Sequence, residues 1–497
     1  MGKNIDRAWI IRAGILGSAL AAAAGTANAQ IATCGSSSGP DVIVGDITGP
    51  SNFVAAGGID AFSLGTTSCN MGNAQLRWDA FPANTHPAIG GNMYKYKVVS
   101  GSGRFEQIGQ SWLKHGFAAL TGSVCCTCQS PGTQTRLGVG CSDPYTSSRN
   151  GTQSGLGPRW QVNAYTGAFP TSGPANPPWS GNTARRLEVA VADLEPSSAT
   201  VRYFGEAHYV TPDDASNNNQ NNNASYRELS MSGTTDFTTA FIGNTVRQRS
   251  AIYAWQIIDP SVTLTPAQVI DTSTPTPTRV DGLFIVGSRA TDLGGGTWHY
   301  EYAVYNMNSD RAGGTFSIPV PSQATVTNIG FHGVTYRNGD ATNNTASNSV
   351  NFSNAAWTTV RAGDTLTFST DAKGANLLAN AIRWGTTYNF RFDANIAPAA
   401  AGNVTLGLWT PGTPAALTIA AQVPGSPGCP ADLDNGSGTG TPDGGVDIND
   451  LLFFLAGYEA ANVGVADLDD GSGTGTPDGG VDINDLLFFL AHYESGC

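Results

Sequence analysis

The sequence predicts a mainly β protein that ends in a small α-helical module. Short alternating or β-branched runs such as DVIVGDI and YKYKVV, separated by turn residues, predict a β-rich domain over 30–272. Strand-like runs spaced by roughly 10–20 residues over 280–422 are typical of a β-sandwich. The segment 431–456 returns at 466–491 with one change, which indicates a doubled helical module within 429–497.

The N-terminus has the pattern of a secretory signal peptide over residues 1–29. Basic residues precede an apolar, Ala-rich run and the small-residue site Ala27-Asn28-Ala29, so the mature chain is expected to begin near Gln30. No later stretch approaches the ~20 apolar residues that a membrane helix needs. We therefore expect a secreted protein that is extracellular or attached to a cell surface.

Acidic charge is concentrated at the C-terminal end. Residues 429–497 hold 13 of the 38 Asp and Glu residues and none of the 25 Lys and Arg residues. The rest of the chain is balanced in charge, which argues against a nucleic-acid partner. A block of carboxylates without basic residues is either a solvated tail or a cation site, and the spacing decides between them.

The chain has eight cysteines, an even number that suits an exported protein with disulfides. Six lie in the first third: Cys34, Cys69, Cys125, Cys126, Cys128 and Cys141. They allow fifteen pairings, which the sequence does not distinguish. The CCxC cluster at 125–128 could instead bind zinc or copper through thiolates. Disulfides are favoured because exported thiols normally oxidise.

Local composition marks further elements of the chain. The segments 273–279 and 423–428 have linker composition, and NNNQNNN at 217–223 indicates a solvated loop. Apolar residues near helical spacing predict one helix within 104–120.

Aspartates in the C-terminal repeat follow the alternation of an EF-hand-type calcium loop. Two copies place aspartates at loop positions one, three, five, nine and twelve, namely Asp432, Asp434, Asp443, Asp447 and Asp450, then Asp467, Asp469, Asp478, Asp482 and Asp485. Calcium takes six to eight oxygen ligands, so two ions are expected. A seven-residue Gly/Ser/Thr insertion interrupts each loop, where Asn435, Asp470 or a backbone carbonyl could also contribute.

A helix is predicted after each loop. Asp447 can cap the first helix, and Ile448, Leu451, Leu452 and Leu455 follow at helical spacing. Two loop-helix units with CPAD at the start and GC at the end resemble the GC-type dockerins of bacterial secreted proteins, over residues 429–497.

This resemblance implies calcium-dependent folding and a cohesin-like scaffold partner. Positions ten and eleven of each loop, which recognise the partner in that family, correspond to Ile448, Asn449, Ile483 and Asn484. A structural alternative is that calcium only stabilises the module. Cys429 and Cys497 bracket it and are expected to form a disulfide, with lipidation or covalent attachment through Cys497 as the alternative.

The body contains no recognised catalytic motif. The stretch 205–215 is rich in residues that can take part in acid-base chemistry, and Glu206, His208 and Asp213 are candidate catalytic residues. Its Pro-Asp-Asp is also a turn signal. Scattered histidines show no spacing that places two imidazoles on one metal. Segments such as GPDVIVG, LGVGCSDPY and HYVTPDDA resemble an uncharacterised family of secreted bacterial proteins, a resemblance that implies no known activity.

Together these patterns predict a secreted calcium-binding protein that docks onto an extracellular scaffold. Its body is expected to be a non-catalytic binding or structural element, with ten Trp and fifteen Tyr available to contact polysaccharide. The alternative is a secreted polysaccharide hydrolase, which needs two carboxylates roughly 5–10 Å apart. A cleft with paired carboxylates would favour the hydrolase.

Overall fold

The computed structural model describes residues 32–171, 175, 179–271, 279–342, 350–399, 401–425, 429–442 and 445–495. Of the described residues, 41% lie in strands and 12% in helices, which confirms the mainly β class. The predicted signal peptide, most of the linker predicted over 273–279 and half of the linker predicted over 423–428 lie outside the described residues.

The strands are β1 (Val42–Ala56), β2 (Ile59–Asn70), β3 (Leu76–Arg77), β4 (Ala88–Val99), β5 (Ser102–Gln110), β6 (Leu113–His115), β7 (Arg136–Leu137), β8 (Ser142–Tyr145), β9 (Leu156–Gly157), β10 (Leu187–Ala190), β11 (Val201–Val210), β12 (Ala224–Ser232), β13 (Thr238–Val246), β14 (Thr263–Asp271), β15 (Arg279–Gly294), β16 (Thr297–Asn306), β17 (Gly313–Pro319), β18 (Val326–His332), β19 (Thr358–Ala362), β20 (Thr365–Ser369), β21 (Thr386–Ala394), β22 (Asn403–Leu408) and β23 (Ala416–Ala420). The α-helices are α1 (Ser147–Asn150), α2 (Pro212–Ser216), α3 (Tyr253–Ile258), α4 (Ile448–Glu459), α5 (Val463–Ala466) and α6 (Ile483–Ser495).

An 11-stranded antiparallel sheet, here called the curled sheet, forms the N-terminal part. Its main order is β1-β2-β10-β5-β4-β11-β12-β13, with β6, β8 and β9 attached at the side. The sheet curls until its edge strands meet, where the Ile47 N–H donates to Thr245 Oγ1 at 3.0 Å. The curl encloses an inner core that includes Phe62, Met93 and Tyr203.

Two five-stranded sheets form a sandwich. The middle sheet has the order β14-β15-β16-β21-β18, and the outer sheet has the order β19-β20-β17-β22-β23. Their facing side chains, among them Phe284, Phe316 and Phe390, form the sandwich core. The predicted β-sandwich is thus present, and β14, which precedes the predicted linker, contributes a strand to it.

The middle sheet is buried on both faces. Along β15, Phe284 and Val286 point into the sandwich core. Their neighbours Leu283 and Ile285 point the other way and pack against the curled sheet, because successive strand residues face opposite sides. The contact with the curled sheet forms a second core, the junction core, which also contains Tyr305. The body is therefore a stack of three β layers.

The prediction of a helix within 104–120 is wrong. Strands β5 and β6 occupy this segment instead. Phe105 lies in the junction core and Ile108 in the inner core, on opposite faces of one strand. Their three-residue spacing suggested one helical face, but residues of opposite parity in a strand point apart.

Three disulfides connect the N-terminal segment, β2 and the loop before β8. The pairs are Cys34–Cys126, Cys69–Cys125 and Cys128–Cys141. The disulfide interpretation of the CCxC cluster is confirmed, so those sulfurs are not available as thiolate ligands for zinc or copper. Among the helices of the described residues, none is both long and apolar enough to cross a membrane.

Replacing Ile285, which is 2% exposed in the junction core, tests the coupling of the layers. We expect Ile285→Ala to lower the free energy of unfolding by about 2–5 kcal/mol in urea titrations, because it leaves a cavity between layers. Ile329→Ala, at a position 46% exposed, is the matched control and should change it by no more than about 0.5 kcal/mol. Equal stability of the two variants would contradict the three-layer arrangement.

Candidate functional site

The last aspartate of each C-terminal loop accepts hydrogen bonds from the start of that loop. Asp450 Oδ1 accepts hydrogen bonds from the N–H groups of Leu433 at 2.6 Å and Asp434 at 2.8 Å. In the second copy, Asp485 Oδ1 accepts from Leu468 at 2.6 Å and Asp469 at 2.9 Å. The two sequence copies therefore make the same contacts.

These two aspartates also hold the helix N-termini. Asp450 Oδ2 accepts from the Asp447 N–H at 2.8 Å, and Asp447 caps α4, which completes a capping box. Asp482 N–H donates to Asp485 Oδ2 at 2.7 Å before α6. Each loop is thereby joined to its helix through one carboxyl group.

The inserted residues curl around the carboxylate at loop position three. Asp469 accepts hydrogen bonds from the N–H groups of Gly473 at 2.8 Å and Gly475 at 2.7 Å. Burial raises the pKa of Asp469, but these donors and that of Gly471 outweigh burial and hold the pKa below its usual range. Asp434 is held in the same way by Gly438 and Gly440. Both carboxyl groups therefore stay ionised at neutral pH.

The carboxylate at position one of the second loop meets the residues at positions five and six. Asp467 accepts from the N–H groups of Asp478 at 3.0 Å and Gly479 at 2.8 Å. This contact brings the start of the loop next to the residues that follow the insertion. Asp443, the equivalent of Asp478 in the first loop, lies outside the described residues.

The loops offer the donor chemistry that calcium prefers. Six aspartates among the described residues of the loops are less than a tenth exposed: Asp432, Asp434, Asp450, Asp467, Asp469 and Asp485. No Lys or Arg occurs between 429 and 497 to balance them. Buried carboxylates require a compensating charge, and oxygen-rich sites of this kind take calcium. The donor set therefore fits the predicted ion.

The side chains are not gathered around a single point, however. Within the described ranges, no three His, Cys, Asp or Glu side chains lie close enough together to hold an ion. Their oxygens instead accept backbone N–H groups, and an oxygen that accepts one hydrogen bond keeps a lone pair for a metal. Calcium binding would thus require the carboxylates to move toward each other without losing those contacts.

The two helices pack through equivalent residues. The Phe454 and Phe489 rings, one repeat period apart, stack with centroids 4.1 Å apart and planes within 3°. Ala431 and Ala466, also equivalent, complete the buried centre. The module therefore has a pseudo-twofold arrangement. Cys497 lies outside the described residues, so its pairing with Cys429 stays a prediction.

Apolar side chains protrude from the outer faces of α4 and α6. Ile448 and Ile483 are each 56% exposed, and Leu452 and Leu487, one helical turn later, are 60% and 59% exposed. Asn449 and Asn484 are half-buried beside the caps. The two leucines were not among the predicted partner-binding residues, although their i+4 spacing from the isoleucines could have identified them.

Glu206 is enclosed at the junction between the curled and middle sheets. Its Oε1 accepts from Asn92 Nδ2 at 2.8 Å and Tyr305 OH at 3.3 Å, and its Oε2 accepts from the Ala251 N–H at 2.7 Å. Burial raises the pKa of Glu206, and the Ala251, Asn92 and Arg159 contacts oppose it. This carboxyl group holds the layers together.

The other two catalytic candidates lie in different surroundings. His208 is buried on the same face of β11 as Glu206, and burial lowers its pKa to about 3. Asp213 lies on α2, where it accepts from the Arg77 N–H at 2.9 Å. No hydrogen bond joins the three side chains among the described contacts.

The fold brings together two histidines that sequence spacing left apart. His86 Nε2 and His115 Nδ1 lie 3.0 Å apart, and both side chains are buried. Burial, with a smaller contribution from the neighbouring His86, lowers the pKa of His115 to about 3. The pair is neutral at physiological pH.

A comparison with protein-family models found no match for this chain, and a search of curated proteins found none either. The assignment of the C-terminal module consequently depends on its own motifs and contacts.

Removing the Asp485 carboxyl group, which binds the start of the second loop, should open that loop. We expect Asp485→Ala to destabilise the module by about 1–3 kcal/mol, because it leaves buried N–H groups unpaired and removes a cap. Amide exchange measured by NMR should accelerate at Leu468 and Asp469. Asp470→Ala, which alters an exposed side chain in the same loop, is the control. Unchanged exchange in Asp485→Ala would contradict the described contact.

Proposed function

We propose that this chain is a secreted calcium-binding protein that docks through residues 429–497 onto a cohesin-like extracellular scaffold. The observation that carries the proposal is the set of buried aspartates in a module without Lys or Arg. A bound cation would balance this concentration of buried carboxyl groups. Oxygen ligands on two matching loops favour calcium, with one ion in each.

The exposed apolar residues of α4 and α6 support the docking part of this proposal. Ile448 with Leu452, and Ile483 with Leu487, form two equal apolar patches on a small module. Exposed apolar helix faces in soluble proteins mark binding surfaces. Because the patches are equivalent, either helix could present the same residues to one partner site.

We propose that the β-rich body, which precedes residue 429, is a non-catalytic binding or structural element that the C-terminal module attaches to the scaffold. The alternative, a polysaccharide hydrolase, needs two carboxylates facing one cleft. Glu206 is enclosed and hydrogen-bonded, and Asp213 lies on a separate element. The three candidates from the sequence therefore do not supply that pair.

Calcium titration of the full chain tests the proposal that the two C-terminal loops bind calcium. Isothermal titration should give two ions per chain with dissociation constants in the micromolar range. Asp467→Ala should remove one ion and the double variant Asp432→Ala/Asp467→Ala both. Asp470→Asn is the matched control, since the first repeat carries Asn435 there. Absence of binding by the unmodified chain would overturn the calcium proposal.

Docking is tested by capture from the cell-surface extract of the producing organism. The calcium-loaded chain should retain one partner with a cohesin-like domain, identified by mass spectrometry, and lose it in EGTA. Leu452→Asp/Leu487→Asp should abolish retention, because a buried interface would then contain unpaired charges. Val360→Asp, at a body position 59% exposed, should have no effect. Failure of the calcium-loaded chain to retain any partner would contradict docking.

A further inference from the structure

Two adjoining cavities lie where the curled sheet meets the sandwich. The first has a volume of about 260 Å³ and the second about 330 Å³. Both are lined by Trp112 and Asp340, so the two cavities share a wall. Their sizes are close to the lower end of the roughly 300–1,000 Å³ typical of small-molecule sites. Each suits one ring of a ligand rather than a large molecule.

Aromatic rings with fixed orientation line these cavities. The first cavity is lined by Trp112, Trp160, Trp384 and Trp409. Trp112 Nε1 donates to Asp340 Oδ1 at 2.6 Å, and Trp409 Nε1 donates to the Asp371 carbonyl at 2.8 Å. Trp179, 42% exposed, lines the second cavity. Rings held in this way offer apolar contact surface at little further loss of entropy.

Charged groups of both signs stand beside these rings in the first cavity. Lys373 and Arg383 supply donors, and Asp310 and Asp340 supply acceptors. The Arg383 guanidinium lies 3.5 Å from the Phe352 ring centroid. The first cavity therefore places cationic donors and carboxyl acceptors beside its aromatic rings.

The second cavity contains a pair of carboxyl groups linked by Arg337. The Arg337 guanidinium lies 3.6 Å from Glu188, and the Arg337 backbone N–H donates to Asp340 Oδ2 at 2.5 Å. Burial raises the pKa of Glu188 to about 7, although Arg337 opposes the rise, and raises that of Asp340 to about 6. Near neutral pH these groups can therefore either donate or accept a hydrogen bond.

We propose that the two cavities bind consecutive rings of a neutral oligosaccharide. A neutral sugar presents apolar C–H faces to aromatic rings and hydroxyls that both donate and accept, which matches this mixture of walls. An anionic ligand would meet the carboxyl groups of Asp310, Asp340 and Glu188, and a purely apolar ligand would exclude water from the charged groups of the lining without offering them a hydrogen bond. The site is in the body, so it is independent of the calcium proposal.

Isothermal titration of the full mature chain with cellohexaose, xylohexaose, mannohexaose and trigalacturonate tests the proposal. At least one neutral hexaose should bind with a dissociation constant below about 1 mM. Lys373→Ala should weaken binding roughly tenfold by removing a charged donor. Lys97→Ala, a similarly half-buried lysine paired with Glu195 on the curled sheet, should bind as the unmodified chain does.

The same titrations are repeated in EGTA, where binding should persist. Survival of hexaose binding after calcium removal supports the cavity assignment whether or not the C-terminal module binds calcium. The proposal is overturned if no neutral hexaose binds below about 1 mM, if only trigalacturonate binds, or if Lys373→Ala binds as tightly as Lys97→Ala. Release of shorter sugars from a bound hexaose would support the same site and add cleavage to its function.

Discussion

Burial of the middle sheet on both faces is the constraint on which the body depends. Alternate residues of β15 fill two different cores, with Phe284 facing the sandwich and Ile285 facing the curled sheet. The curled sheet and the sandwich are thereby held in one relative position. That position encloses Glu206 among donors from both parts, Asn92 and Tyr305 among them, and shapes the two cavities at the edge of the junction.

The sequence predicts the strands better than their arrangement. Alternating runs and turn residues were sufficient for the β class and the sandwich, and the export pattern was sufficient for disulfides. Cysteine pairing depends on which loops meet, which spacing does not contain. The spacing of Phe105 and Ile108 led to the wrong prediction of a helix. Apolar residues at i and i+3 also occur by chance in strands whose two faces are both buried.

The site residues also divide into those that local sequence predicts and those that only the fold brings together. The aspartates of the C-terminal loops are visible in sequence because they repeat, and their repetition carries over into equivalent hydrogen bonds. The insertion could not be interpreted beforehand, since its role depends on backbone N–H groups such as that of Gly473 meeting Asp469. Glu188 and Asp340 lie far apart in the chain and belong to no motif, so only the fold brings them to one cavity.

The central claim is that the two repeated loops are calcium sites, and a crystal structure of the full chain grown with calcium tests it most directly. The account predicts one ion in each loop, bound by Asp432 and Asp450 in the first and by Asp467 and Asp485 in the second. Anomalous difference peaks at both positions would locate the ions. Loops that keep their N–H contacts around Asp434 and Asp469, with no ion in either, would contradict it.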